Sequence, residues 1–250
     1  MIITRTEDEI NKLRHAGMIV GLTHKYIQQF IQPGITTKEL DLLMKKFIES
    51  KGCTCSFEGL YGFPGSICIS VNDEVVHGIP SDRVLKNGDI ITIDVVIGYK
   101  GYQGDAAWTY AVGEIDDDKK YLMEHTEKAL YEGIKMAKPG NRIGDISAAV
   151  EEYATVHHLG VVRELCGHGI GREMHEDPEV PNFGTRNTGP RLKPGMVICI
   201  EPMLTFGKRD VCQLDDDWTV VTLDESPAAH YEHTVLITED GYEILTPRLD

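Results

Sequence analysis

The sequence repeats one structural plan at a nearly constant offset. Pro33-Gly34 recurs as Pro139-Gly140, at an offset of 106, and the segment LKNGDIITID at 85–94 matches LKPGMVICIE at 192–201, at an offset of 107. A recurrence at a fixed offset indicates one supersecondary unit that is present twice. We therefore expect one domain of 250 residues built from two related halves, about 1–115 and 116–250.

The first half begins with two predicted helices. Thr6 and Glu9 have the spacing of a capping box, and apolar residues at helical spacing follow as far as Ile31. Thr36 and Glu39 form a second box before another amphipathic run. The second half repeats this plan, and β-rich runs follow the helices in both halves. The predicted class is α+β, in which two pseudo-twofold-related halves pack their antiparallel sheets together and carry helices on the outside.

Composition and charge exclude several classes of partner. The chain has 25 Lys and Arg residues against 40 Asp and Glu residues, a formal net charge of −15. Nonspecific nucleic-acid binders and proteins that bind anionic membranes need basic surface, so neither class fits. The six cysteines are too irregularly spaced for a disulfide framework. No apolar run has the length of a membrane span and the N-terminus lacks a signal-peptide core, so we expect a cytoplasmic protein.

Two acidic residues lie in what we predict to be a buried hairpin. The β-rich runs 90–98 and 104–112 flank the sequence GYKG at 98–101. With a turn centred between residues 99 and 100, Asp94 and Asp105 face each other. Opposed like charges are destabilising, and a buried carboxylate without compensation is costly. Two such carboxylates need either a shared proton or a cation.

The repeat adds two more carboxylates to this pair. Asp94 corresponds to Glu201 through the offset of 107, and Asp105 has its counterpart in Glu232 on the apolar segment 231–237. A single acid of this kind usually lies on a solvated strand face. Four at related positions of a duplicated strand pair instead favour a pair of divalent cations near the common axis, with two bridging carboxylates.

Three histidines lie outside the predicted helices in segments suited to a site. They are His77 in VVHGIP, His168 in CGHGIG and His175 in MHEDP. Glycines beside a histidine allow the backbone to approach a ligand closely. The other histidines that we considered receive a structural interpretation, since five lie on helices and one points to the opposite sheet face: His15, His24, His125, His157, His158 and His233.

Taken in order, six segments resemble a bacterial type I methionine aminopeptidase over essentially the whole chain. They are CISVNDEVVHGIP at 68–80, IDV at 93–95, GD at 104–105, GHGIG at 167–171, IEPM at 200–203 and YEHT at 231–234. The resemblance implies the "pita-bread" fold, a pseudo-twofold α+β architecture. The short spacing between His175 and Glu201, and the start of the sequence directly at the first helix, are typical of the compact bacterial form rather than of type II.

The resemblance also implies a dinuclear metal centre. Asp94 is the implied terminal ligand of one ion, His168 and Glu201 are the implied terminal ligands of the other, and Asp105 and Glu232 are the implied bridges. Mixed nitrogen and oxygen donors suit Co, Mn, Fe or Zn ions alike. Two such ions would generate a hydroxide near neutral pH, which attacks the first peptide bond of the substrate.

Further roles follow from the same resemblance. Glu201 is the implied general base and proton shuttle, while His175 and His77 would hold the scissile amide and stabilise charge on the tetrahedral intermediate. Met174 stands where many relatives have Phe, and Leu60 where an aromatic residue is common, so the substrate pocket would be wider. The implied methionine pocket consists of Phe57, Leu60, Phe63, Cys68, Met174 and Trp218.

The implied activity is removal of the N-terminal methionine from nascent proteins and peptides whose second residue is small. We expect one catalytic domain that acts as a monomer near the ribosome, on the N-termini of nascent polypeptides, without direct binding to nucleic acid or membrane. One alternative is a proline-directed enzyme on the same fold, such as aminopeptidase P or prolidase, although these usually carry an additional N-terminal domain. The other is a peptide- or histone-binding module, although such modules typically lose metal ligands and all five are present here.

Overall fold

The structure is a computed structural model that describes residues 2–249. Four α-helices lie in this range: α1 (Glu7–Gln28), α2 (Thr37–Ser50), α3 (Asp117–Lys135) and α4 (Ile143–Val156), with a short 3-10 helix at Leu60–Gly62. The strands of the first half are β1 (Thr54–Cys55), β2 (Cys68–Val71), β3 (Glu74–Val76), β4 (Ile90–Tyr99) and β5 (Tyr102–Ala111). Those of the second half are β6 (Gly160–Val161), β7 (Cys166–Gly169), β8 (Glu176–Pro181), β9 (Val197–Ile200), β10 (Met203–Thr205), β11 (Val211–Gln213), β12 (Val220–Thr222), β13 (Ala228–His230), β14 (His233–Ile237) and β15 (Tyr242–Ile244).

The first two helices begin at the predicted caps. The backbone N–H of Thr6 donates to the Glu9 carboxylate at 2.9 Å while the Thr6 hydroxyl accepts from the Glu9 N–H, which completes a capping box. Thr36 and Glu39 form the same pair of contacts at the start of α2. Helix α1 ends at Gln28, three residues short of the prediction. Beyond Gln28 the N–H groups of Phe30 and Ile31 donate to the carbonyls of Ile27 and Gln28, three residues earlier, so a tighter turn replaces the α-helix before Pro33.

The predicted repeat is present in the hydrogen bonds that close each helix pair. The N–H of Gly34 donates to the carbonyl of Leu85 at 2.8 Å, and the N–H of Gly140 donates to the carbonyl of Leu192 at 3.2 Å. The isolated bridge between residues 36 and 84 likewise recurs between residues 142 and 191. The two copies therefore share tertiary contacts as well as sequence.

The central hairpin has a different register from the prediction. Strands β4 and β5 are joined by residues 100–101, whose φ angles of 48° and 76° are both positive, as a two-residue type I′ turn requires. The turn is therefore centred one residue later than predicted. Asp94 pairs with Ala107 and Asp105 pairs with Val96, so the two carboxylates are not directly opposed. They lie diagonally on one face of the hairpin, because a shift of two residues preserves the face.

Two large antiparallel sheets meet beside this hairpin. In the first, β4 pairs with β1, β2 and β5, and the order of the second is β15-β14-β9-β7-β8. The Thr234 hydroxyl joins them, since it donates to the Asp105 carbonyl at 2.8 Å and accepts from the Asp105 N–H at 3.1 Å. The Glu232 N–H donates to the Ala107 carbonyl at 2.8 Å. These contacts define a seam between the halves, and two of the predicted acids lie on it.

The rest of the molecule encloses these sheets. Two small three-stranded sheets, β13-β10-β6 and β11-β12-β3, complete the strand structure of the described residues. One apolar cluster runs from Ile19 in the first half to Ile237 in the second, so both halves contribute to the same core. Within residues 2–249 no helix has both the length and the apolar character to span a bilayer. Antiparallel sheets with packed helices confirm the predicted α+β class.

Candidate metal centre

The five predicted metal ligands all line one cavity of about 520 Å³. Asp94 comes from β4, Asp105 from β5 and His168 from β7. Glu201 directly follows β9, and Glu232 directly precedes β14 instead of lying on it as predicted. The last pair of that ladder is His233 with Ile200, so the next position along each segment is one of the two glutamates. The structure therefore brings together side chains that are 138 residues apart in sequence.

The donor atoms of these side chains converge closely. The His168 Nε2 atom lies 3.4 Å from Glu201 Oε1 and 3.7 Å from Asp105 Oδ2. One donor atom from each of Asp105, His168, Glu232 and Cys199 lies within 4.8 Å of the other three. Such a spacing allows several side chains to hold one ion.

The carboxylates of the cluster lack compensating partners. One buried oxygen from each of Asp94, Asp105, Glu201 and Glu232 has no hydrogen-bond partner within residues 2–249. Burial, followed by repulsion from the neighbouring acids, holds the pKa of Asp105, Glu201 and Glu232 well above the ordinary value. Burial also raises the pKa of Asp94, to about 7. Four buried oxygens without donors fit divalent cations, which would supply the missing positive charge.

His168 is oriented as a metal ligand. Its Nδ1 lies 3.0 Å from the carbonyl oxygen of Gly169, which can only accept, so Nδ1 carries the proton. Burial lowers the pKa of His168 to about 4, and the ring is therefore neutral near pH 7. The lone pair of Nε2 consequently points to the acids, the arrangement in which a histidine binds a metal.

The glycines beside His168 allow close packing of β7. A Cβ atom on Gly167 would lie 2.3 Å from the Cys199 carbonyl oxygen, and one on Gly169 would lie 2.1 Å from the Asp177 carbonyl oxygen. These glycines allow β7 to approach its neighbouring strands. The close packing places His168 between the two strands that flank it.

His77 and His175 also line the cavity. His77 follows β3 with a φ of 59°, and its side chain lines the cavity. Burial, with a smaller contribution from His175, lowers the pKa of His77. His175 lies exposed at the rim, and its ring meets the ring of His168 edge-on at 4.4 Å. Both side chains are therefore placed to meet a molecule that enters the cavity.

The six residues predicted for the methionine pocket form one apolar cluster together with Val96 and Ile79. The Phe63 and Trp218 rings meet edge-on at 5.0 Å. Cys68 pairs with Asp94 across the ladder of β2 and β4, so the cluster adjoins the acids. Phe57 lines the cavity itself. An apolar wall and a charged wall thus meet in one cleft.

The sequence reasoning missed two side chains at the centre. Cys199 is fully buried beside the acids, and burial keeps the pKa of its thiol well above the usual range. It lies two residues before Glu201, so strand alternation could have placed it on the same face. His230 lines the cavity with its Nε2 3.7 Å from Glu201 Oε2. No motif, glycine or spacing in its segment SPAAHY marked it.

Comparisons with known proteins agree with this geometry. The model of metallopeptidase family M24 matches residues 11–239. The chain is 54% identical over 246 residues to methionine aminopeptidase 1 of Bacillus subtilis (strain 168), which covers 98% of this chain and 99% of that protein. The crystal structure of methionine aminopeptidase from Rickettsia prowazekii is similar with a TM-score of 0.98 and 42% identity, covering 99% of this chain and 100% of that one.

A more distant likeness concerns the fold alone. Prolidase from Pyrococcus furiosus is similar with a TM-score of 0.78 at 23% identity, covering 99% of this chain and 66% of that one. The predicted pita-bread fold, with its antiparallel sheets and four helices, is confirmed. The prediction of a metal-dependent aminopeptidase is confirmed as well. From its site and its relatives, the chain belongs to metallopeptidase family M24 and, within that family, to the methionine aminopeptidases.

Proposed function

We propose that this chain removes the N-terminal methionine from nascent proteins and peptides whose second residue is small. The observation that carries this proposal is a cluster of four carboxylates, each with one buried oxygen that has no partner within residues 2–249, beside an apolar pocket in the same cleft. The proposed metal ligands are Asp94, Asp105, His168, Glu201 and Glu232. The preference for a small second residue is taken from the likeness to methionine aminopeptidases.

The acids and His168 would hold two divalent ions, which supply Lewis acidity and a nucleophile from water at neutral pH. Among the chain's own groups, Glu201 is the proposed general base. Its carboxylate lies between two imidazoles, and burial raises its pKa, so it is suited to take up a proton and to pass it to the leaving amine.

His77 and His175 would orient the scissile amide. Both line the cavity that contains the acids, and an imidazole N–H can donate to an oxygen on which negative charge develops. The chemical benefit depends on position, because a donor stabilises the transition state only if it is already aimed at that oxygen. The ring of His175 also contacts the ring of His168, so the position of His175 is fixed relative to a proposed metal ligand.

The methionine side chain would bind in the apolar cluster of Phe57, Leu60, Phe63, Cys68, Met174 and Trp218. Aromatic rings and a thioether are favourable neighbours for the methionine sulfur. The free α-amine would bind near Asp94, because Cys68 of the pocket pairs with that residue. An amine fixed at this place limits cleavage to the first peptide bond.

The setting of the reaction is part of the proposal. We propose that residues 1–250 form one catalytic domain, active as a monomer in the cytoplasm on nascent N-termini near the ribosome. The shared apolar core of the two halves supports a single domain. The net charge of −15 supports a peptide substrate rather than nucleic acid.

A peptide panel tests the proposal. Metal-free protein supplied with Co²⁺ or Mn²⁺ should release methionine from Met-Ala-Ser and should leave X-Pro dipeptides intact. Asp105→Ala should lose both metal binding and activity, whereas Asp240→Asn, on an exposed turn, should keep both. Cleavage of X-Pro without release of methionine would support a proline-directed enzyme. Wild-type protein that binds peptides, but does not bind metal and does not cleave the peptides, would support a binding module.

A further inference from the structure

His230 is a buried histidine beside the clustered acids. It ends β13, its exposed fraction is 1%, and it lies in the wall of the cavity that contains the acids. Neither ring nitrogen has a hydrogen-bond partner within residues 2–249. Leaving a buried polar group unpaired is costly, so such groups in native proteins nearly always have a partner when the site is complete.

The backbone of His230 is held rigidly, which fixes the direction of the ring. Its N–H donates to the Thr109 hydroxyl at 3.1 Å, and its carbonyl accepts from that same hydroxyl at 2.9 Å. Across the small sheet, His230 pairs with Met203 of β10. These contacts come from both halves of the chain, so the imidazole is placed by the core and not by a loop.

The group that the ring faces is the Glu201 carboxylate. The Nε2 of His230 lies 3.7 Å from Oε2, and the Nε2 of His168 lies 3.4 Å from Oε1, so each oxygen has one imidazole beside it. The two rings differ in what they can offer. His168 carries its proton on Nδ1 and presents a lone pair, whereas both nitrogens of His230 are uncommitted and Nε2 is able to donate.

We propose that His230 is a positioning residue that donates from Nε2 to Glu201 Oε2 and leaves Oε1 to the metal. The two atoms are 3.7 Å apart. A hydrogen bond requires about 2.7–3.2 Å, and a small side-chain rotation would close the difference. Hydrogen bonds from outside the ligand set commonly fix the orientation of a ligating carboxylate. The inference rests on the proposed role of Glu201 as a ligand and general base.

Metal binding by the metal-free protein tests this role without any turnover. We expect His230→Leu to weaken Co²⁺ binding, measured by isothermal titration calorimetry, by about 10–100-fold, the usual effect of losing such a partner. His230→Gln should bind within about threefold of wild type, because its amide can donate from the position of Nε2. His230→Asn should resemble the leucine variant, because its shorter side chain reaches only the position of Nδ1. His15→Gln, an exposed histidine on α1, is the matched control.

The kinetic readout separates positioning from substrate contact. With Met-Ala-Ser, the leucine and asparagine variants should lose kcat at an unchanged KM, and glutamine should rescue kcat. Equal Co²⁺ affinity in wild type and His230→Leu would overturn the proposal. A His230→Gln variant that binds Co²⁺ as weakly as His230→Leu would also overturn it. If circular dichroism shows that His230→Leu does not fold in EDTA, the comparison of His230→Gln with His230→Asn tests the proposal instead. A wild-type protein that binds no Co²⁺ would instead refute the proposed metal centre itself.

Discussion

Replacing Asp94 with asparagine should stabilise the metal-free protein, although it removes a proposed metal ligand. The reason is that the folded chain without metal holds four clustered acids, each with one buried oxygen that has no hydrogen-bond partner within residues 2–249. Asparagine has the shape of a protonated aspartate and never ionises. It therefore removes the cost of placing one charge in the cluster, while the other three acids stay in place.

The magnitude follows from the pKa of Asp94. The ordinary value is 3.8, and burial raises it to about 7 in the folded chain. Between these two values the unfolded state has released a proton that the folded state still holds, so stability falls as the pH rises. The slope is about 1.4 kcal/mol per pH unit, so the loss from this carboxyl is absent below about pH 3 and reaches up to about 4 kcal/mol above about pH 7.

Chemical denaturation in EDTA measures this effect. At about pH 8 we expect Asp94→Asn to raise the free energy of unfolding by up to about 4 kcal/mol, and at about pH 4 by less than about 1 kcal/mol. Mn²⁺ should narrow this difference by about 2.7 kcal/mol at a metal concentration of 100 times the Kd of the site that contains Asp94, because the variant lacks a proposed ligand of that site. Asp240→Asn is the control. A variant less stable than wild type in EDTA at the higher pH, or a gain of equal size at both pH values, would refute the reasoning.

Three further predictions concern the same cleft. A chelator should abolish hydrolysis of Met-Ala-Ser and added Co²⁺ should restore it, so full activity in metal-free protein would contradict the proposed centre. Glu201→Gln should lower kcat by more than about hundredfold, because general-base catalysis alone is worth about 10²–10⁴-fold, and a retained pH-independent kcat would exclude the role. Trp218→Ala should raise KM for methionyl peptides about tenfold, equivalent to about 1.4 kcal/mol of lost apolar contact, and a change confined to kcat would place Trp218 outside the pocket.

The repeat allowed the sequence alone to predict much of the site. A constant offset related Asp94 to Glu201 without any knowledge of relatives, and strand alternation kept the four acids on facing surfaces. What failed was the exact register of the hairpin. The predicted turn was centred one residue too early, because the sequence GYKG offers two glycines, and only the pair with both φ angles positive closes a type I′ turn.

The parts that the sequence could not predict depend on long-range packing. His230 reaches the acids only because the Thr109 hydroxyl of the first half anchors a short strand of the second half. The glycines around His168 are also needed where strands approach within a distance that no Cβ allows, which the sequence did not indicate. Neither fact has a local signature, because each depends on which distant segment becomes the neighbour.

The seam between the halves gives the metal centre a mechanical role. Asp94 and Asp105 belong to the first copy of the repeat and His168, Glu201 and Glu232 to the second, while Thr234 of the second copy bonds the backbone of Asp105. Neither copy alone has the complete set of proposed ligands. Ions bound there would act as reversible cross-links between the copies, and their strength would follow the free metal concentration by mass action. The availability of metal would then set how tightly the two copies are clamped together, in addition to the rate of the reaction.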